Sequence, residues 1–212
     1  ITFNIINTVR QQKVLGKARI GDWVAVVPNE EDSCVADLVV NLDELKGTWC
    51  YIVMPYLRDN ANMGSGVEAR LMAEMPDSVK ESYLIPREYG FSLKRQWQAQ
   101  SVGYVRQNKT VEEESPVVYP PLAYFSEWHM WNGKLIMTSG VPQMTEGSST
   151  ITLKDERNDT CDILYLRDDS LVLGSDGQTR GYYRLENIAD VNKKANEMAN
   201  KLQKQALDEL KK

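Results

Sequence analysis

The 212-residue chain holds a single histidine, His129, and three cysteines, Cys34, Cys50 and Cys161. No two cysteines show the Cys-X-X-Cys spacing, and no histidine lies close to any of them. Tetrahedral zinc needs four clustered ligands, so a sulfur-based metal site is not expected. With one histidine, any Ser-His-Asp or Cys-His machinery would have to use His129, and no Gly-X-Ser-X-Gly elbow accompanies it. Gly64-Ser65-Gly66 is too short to cradle a phosphate and lacks the Lys-Ser or Lys-Thr that would follow in a phosphate loop. Excess positive charge is also missing: 25 Lys plus Arg stand against 30 Asp plus Glu. Phosphate neutralisation supplies most of the affinity in nucleic-acid binding, so nucleic acid is not an expected partner. The longest apolar runs, Val24–Val27 and Leu38–Val40, fall far short of the ~20 residues that cross a bilayer as a helix.

What is present is ordinary globular composition, 42% hydrophobic and 26% charged, which excludes overall disorder. The length suits one large domain or two small ones. β-Branched residues over 2–9 and partial alternation over 18–27, ending at Pro28, predict two strands. Asn29–Ser33 reads as a solvated turn, and Leu42–Leu45 as a short acidic helical turn leading into a strand at Gly47–Met54. Residues 58–89 have weak periodicity, with either a strand or a short helix over Val67–Met75. Strands follow over Gly90–Trp97 and Ala99–Gln107, and Val111–Pro116 with Pro120-Pro121 marks a long connection. The Asn132-Gly133 pair between Tyr124–Trp131 and Lys134–Ser139 predicts a hairpin with a type I′ turn, because that turn needs positive φ at both central residues. Short segments at 149–154, 161–166, 170–173 and 179–185, separated by polar turns that include Asp155–Asp159, complete a meander. Even spacing of this kind indicates an antiparallel sandwich or barrel.

The end of the chain differs in kind. Asn187 is a candidate helix cap, and Ile188, Val191, Ala195, Met198 and Leu202 follow three-four spacing, continued by Ala206 and Leu210. This predicts one amphipathic helix of about seven turns at ~3.6 residues each. Its polar face mixes lysines and acids, so the basic face of a membrane-surface helix is absent. Its stripe, with Ile188, Val191, Met198 and Leu202 as candidate partner-binding residues, serves either as core or as a docking face.

The order Gly47-Thr48-Trp49, then Gly90-Phe91-Ser92-Leu93 with Ala99-Gln100-Ser101, then Trp128–Met137 through Gly133-Lys134-Leu135, then Leu166-Arg167-Asp168-Asp169-Ser170-Leu171-Val172-Leu173, resembles the lipocalin-like domains of exported lipoproteins from Gram-negative gut bacteria of the Bacteroidetes type. The resemblance covers about residues 45–185. It implies a mainly β protein, an antiparallel lipocalin-like up-and-down β-barrel, with Trp49 closing the narrow end. It further implies an exported life in the periplasm or as an outer-membrane or surface lipoprotein, with any signal segment outside this chain, and no established chemistry or cofactor. Two departures stand out: the first 44 residues and the terminal helix lie outside the family core, and Gln96-Trp97-Gln98 replaces the usual Asp-Gly turn. The expected organisation is a β extension at 1–44, a barrel at 45–185 and a helix at 186–212.

Each chemical constellation has a plain alternative. His129 lies on a strand whose alternation puts Trp128 and Met130 on one face and His129 with Trp131 on the other. Asp155-Glu156, Asn158-Asp159 and Asp168-Asp169 offer oxygens for calcium but lack its loop pattern, and turn chemistry explains them. Paired carboxylates for glycoside cleavage cannot be placed in one cleft from sequence. No catalytic residue and no metal ligand is assigned. Trp49, Phe91, Trp97, Tyr104, Phe125, Trp128, Trp131 and Tyr165 either fill the barrel or line a cavity in it. In the second case Phe91, Tyr104, Trp128 and Trp131 are the candidate binding residues for a small apolar ligand. The resulting expectation is a non-catalytic envelope protein acting as a binding or protein-interaction module, with carriage of an apolar ligand in the barrel as the alternative. If Cys50 and Cys161 fall on adjacent barrel strands, a disulfide could join them in an oxidising compartment.

Overall fold

A computed structural model of the chain describes residues 1–57, 74, 79–80, 84–105, 117–144, 151–209 and 211. The expectations for Gly64-Ser65-Gly66, Val67–Met75 apart from position 74, Val111–Pro116 and Leu210 lie outside these residues. The chain forms two compact units, the first from 1–51, 90–102 and 123–188, the second from 52–89, 103–122 and 189–212.

The main sheet has eight strands: β4 (Gly47–Val53), β6 (Arg87–Leu93), β7 (Ala99–Val102), β9 (Tyr124–Trp131), β10 (Lys134–Met144), β11 (Ile151–Arg167), β12 (Ser170–Ser175) and β13 (Gln178–Leu185). Their spatial order is β7-β6-β4-β13-β12-β11-β10-β9. Its two edge strands, β7 and β9, meet through a bridge between Gln98 and Glu127, and the Trp128 N–H donates to the Trp97 carbonyl at 2.8 Å. The sheet is therefore a nearly closed antiparallel up-and-down barrel, in which each strand pairs with its predecessor and successor among the eight and β13 returns to β4. Closure removes the free edges that an open sheet would expose.

Alternation fills the interior. Leu135, Met137 and Ser139 of β10, Leu171 and Leu173 of β12, and Phe125 and Trp128 of β9 are all buried. Asn132 (φ 46°) and Gly133 (φ 75°) form the expected turn. At one end Trp49 is fully buried, its indole N–H donating to the Leu45 carbonyl at 2.7 Å. The Arg184 guanidinium lies 4.2 Å from the Trp49 ring centre and donates to the carbonyls of Lys46 at 3.0 Å, Asp168 at 3.1 Å and Glu44. Gly47, at φ 135°, occupies a place where a side chain would collide with that guanidinium.

Residues 1–45 contribute α1 (Ile6–Arg10), β1 (Val14–Leu15), β2 (Val24–Pro28), β3 (Ala36–Asn41) and α2 (Leu42–Leu45), with the three strands ordered β1-β3-β2. The strand expected over 2–9 is instead a bridge at Asn4 followed by α1. The Asn4 side chain accepts from the Ile6 N–H at 3.1 Å, a local bond that competes with strand pairing. β3 carries the Leu38–Val40 run, with Val39 and Val40 buried. α2 forms where expected because Asn41 caps it, accepting from the N–H groups of Asp43 and Glu44.

Three further expectations need correction. Asp155–Asp159 is no turn: β11 runs unbroken for 17 residues, and Asp155 (φ 55°) sits at a register shift opposite Gly140. A bulge absorbs the polar residues without ending the strand. The terminal helix, α3, spans Lys193–Glu209 and not Asn187 onward, with Asn192 (φ 71°) before it and a single 3-10 turn at Ile188–Asp190. No disulfide joins Cys50 and Cys161, which are both buried, on β4 and β11, with β13 and β12 between those strands. Strands three places apart cannot satisfy disulfide geometry.

The second unit contains a short antiparallel pair, β5 (Tyr56–Leu57) with β8 (Val117–Val118), and α3. In α3 the buried stripe is Ala195, Ala199 and Ala206 with Leu202 half-buried, while Met198 stays 36% exposed. The buried Glu88 carboxylate accepts from the Asn192 N–H at 2.5 Å, and the Glu88 N–H donates back to the Asn192 side chain at 2.8 Å.

Candidate functional site

The first unit contains a cleft of about 530 Å³, walled by α2 and the Gly21–Trp23 segment on one side and by the β6–β7 turn with Trp128 on the other. It lies at the end of the barrel where Trp49 and Arg184 meet, since α2 immediately precedes β4 there and the β6–β7 turn follows the antiparallel β6. Volumes of ~300–1,000 Å³ are typical of small-molecule sites.

Three tryptophans line it, each fixed by its backbone or indole. The Trp23 N–H donates to the Asp43 carboxylate at 2.7 Å, and its carbonyl accepts from the Leu42 N–H at 2.8 Å. That clamp leaves the indole 70% exposed. Trp128 is buried, and its indole N–H donates to the Lys94 carbonyl at 2.9 Å. Trp97 packs edge-on against Trp128, with ring centres 5.0 Å apart, and remains 46% exposed. Both Gln96 (φ 58°) and Trp97 (φ 62°) have left-handed backbone. For a bulky side chain this conformation costs about 1–2 kcal/mol, which the surrounding bonds must offset. The turn is closed by the Lys94 N–H donating to the Gln98 carbonyl at 2.8 Å and by the two Trp128 bonds.

The charges around the cleft are unequal. Asp43 is its one carboxylate, against Lys46, Lys94 and Arg95. Lys46 bonds the Asp43 carboxylate directly, and that bond, helped by the Trp23 N–H, holds the Asp43 carboxyl below its ordinary value of 3.8. Lys94 Nζ donates to the neutral side chain of Gln100 at 2.5 Å. Arg95 is exposed and makes no direct ion pair among the described residues, although its charge acts on Asp43 at longer range and helps to lower that carboxyl. Two positive charges are thus left without a direct counter-ion.

A second, polar hollow, which shares Asp43 with the cleft, collects Lys17, Glu44, Asp168, Asp169 and Arg184. Its charges are used internally: Lys17 pairs with Asp168 at 2.6 Å, which lowers the Asp168 carboxyl, and Glu44 accepts the N–H groups of Lys17 and Asp168 at 2.5 Å. Among the described residues no three His, Cys, Asp or Glu side chains gather as a metal site. His129 is exposed on the outer face of β9.

Of the four residues expected to bind ligand, Trp128 alone lines the cleft. Phe91 is buried against Phe125 and Tyr182, with ring centres 5.7 and 5.2 Å away, inside the barrel. Trp131 is 72% exposed, and Tyr104 lies half-buried in the second unit. Of the helix residues, Ile188 is exposed and Val191 and Leu202 are half-buried. Trp23 was legible only as an aromatic after Gly21-Asp22, whereas Trp97 was signalled by a bulky residue where an Asp-Gly turn is usual.

No protein-family model matches the chain, and no curated protein does. Among solved structures it is similar to a lipocalin-like protein from Bacteroides thetaiotaomicron VPI-5482. The identity is 19% over 66% of this chain and 95% of the other, with a TM-score of 0.34. The barrel assignment here rests on strand order and edge closure.

Proposed function

We propose that the protein is a non-catalytic binding module of the cell envelope, with a lipocalin-like barrel as scaffold and the tryptophan cleft as its ligand site. The observation that carries this reading is Trp97, held in strained left-handed backbone beside a fixed Trp128 and facing a clamped but exposed Trp23. Exposed indoles on rigid backbone lose little side-chain freedom when they bind, which favours recognition. A carrier with its ligand inside the barrel has less support, because Phe91 is already in ring contact with Phe125 and Tyr182. The envelope location is supported by the motif resemblance alone.

Tryptophan fluorescence during titration with laurate tests the site. Saturable quenching is expected in the wild type and in Trp131→Ala, with loss in Trp97→Ala. Equal quenching in Trp97→Ala would place the ligand elsewhere.

A further inference from the structure

We infer that the cleft selects a flat apolar body bearing one anionic group, an aromatic carboxylate by chemical class; this deepens, and rests on, the reading of the cleft as the ligand site. The faces available to a ligand belong to Trp23 and Trp97, which are planar and apolar, with Leu42 on the α2 wall. Flat rings stack on such faces, and aromatic pairs gain about 0.5–1.5 kcal/mol beyond their area burial.

Charge selects the polar end. Asp43 is already bonded by Lys46 and by the Trp23 N–H, so it has little left with which to attract a cation. Lys94 and Arg95, consecutive in the turn that carries Trp97, supply the excess positive charge. An arginine that makes no direct ion pair here can bind a carboxylate with two parallel bonds, and the neighbouring ammonium adds attraction. A quaternary ammonium ligand, which also favours aromatic walls, would meet two cations that have no direct counter-ion. A neutral apolar ligand would leave the Arg95 fork unused.

The test uses the whole chain and a matched pair of probes, 2-naphthoate and 2-naphthalenemethanol, followed by the indole N–H resonances of the five tryptophans. These are assigned from single Trp→Phe variants. Naphthoate is expected to shift the Trp23 and Trp97 signals, to leave Trp49 and Trp131 in place, and to bind at least tenfold tighter than the alcohol. In the double variant Lys94→Gln/Arg95→Gln, at two exposed positions, that preference should fall to about one. Equal affinity for the two probes in the wild type, or an unchanged preference in the double variant, overturns the anion selectivity and leaves the cleft as an apolar site. If neither probe moves the Trp23 and Trp97 signals, the cleft reading itself fails.

Discussion

Gly90 sits in β6 where the main chain of β4 comes closest to it. A Cβ built on Gly90 would lie 2.8 Å from the Trp49 carbonyl carbon and 2.8 Å from Cys50 Cα, with the Trp49 carbonyl oxygen nearer still. Carbon atoms settle at ~3.5–4.0 Å, so the overlap is about 0.7 Å or more against three backbone atoms that cannot rotate away. Substitution of Gly90 by Ala must therefore push β6 from β4 next to the fully buried Trp49. Overpacking costs about 1–3 kcal/mol in cores that adjust through side chains, and here the upper end applies. In a chain of this length each kcal/mol moves the melting temperature by about 2–4 °C, so a fall of roughly 6–12 °C is expected. Gly181→Ala is the control: Gly181 is also in a strand, β13, and nothing lies within 4 Å of its Cβ position. Calorimetry should place that variant within about 2 °C of the wild type, since it avoids a clash and lowers unfolded-state entropy slightly. A melting temperature for Gly90→Ala as high as that of Gly181→Ala would refute the close approach of β4 and β6.

Two further predictions address the barrel. Arg184→Lys keeps the charge but loses the fork that reaches the carbonyls of Glu44, Lys46 and Asp168, so denaturant unfolding should show a loss of about 2–3 kcal/mol. A loss under 0.5 kcal/mol would mean the charge over Trp49 matters and the hydrogen bonds do not. Burial pushes the Tyr182 hydroxyl from its ordinary value of 10.0 up to about 12, with the nearby Arg180 opposing the shift. A raised value favours the protonated folded form, so stability is complete below pH 10 and declines as pH rises from 10 towards 12. Ultraviolet difference titration should show a late-ionising tyrosine that Tyr182→Phe removes, beside Tyr51, which burial also raises, and ionisation of Tyr182 near pH 10 would contradict its burial.

Local patterns in the sequence determined the strands of the meander, the Asn132-Gly133 turn and the α2 helix, because alternation, positive φ and capping each act within a few residues. Trp49 was marked as the closing residue through the motif resemblance, but its partner Arg184 is 135 positions away, and barrel closure is what opposes the two. The same limit explains why the sequence left the Cys50–Cys161 pairing open and started the terminal helix too early. Strand neighbours depend on the order around the barrel, and the helix start on the tie between Asn192 and Glu88. The cleft was the least visible feature. Trp23, Trp97 and Trp128 come from an N-terminal segment, a hairpin turn and a barrel strand, and no spacing links them. Composition and periodicity set the kind of surface each segment would bury, while the folded barrel decided which indoles stay exposed together and which charges stand beside them.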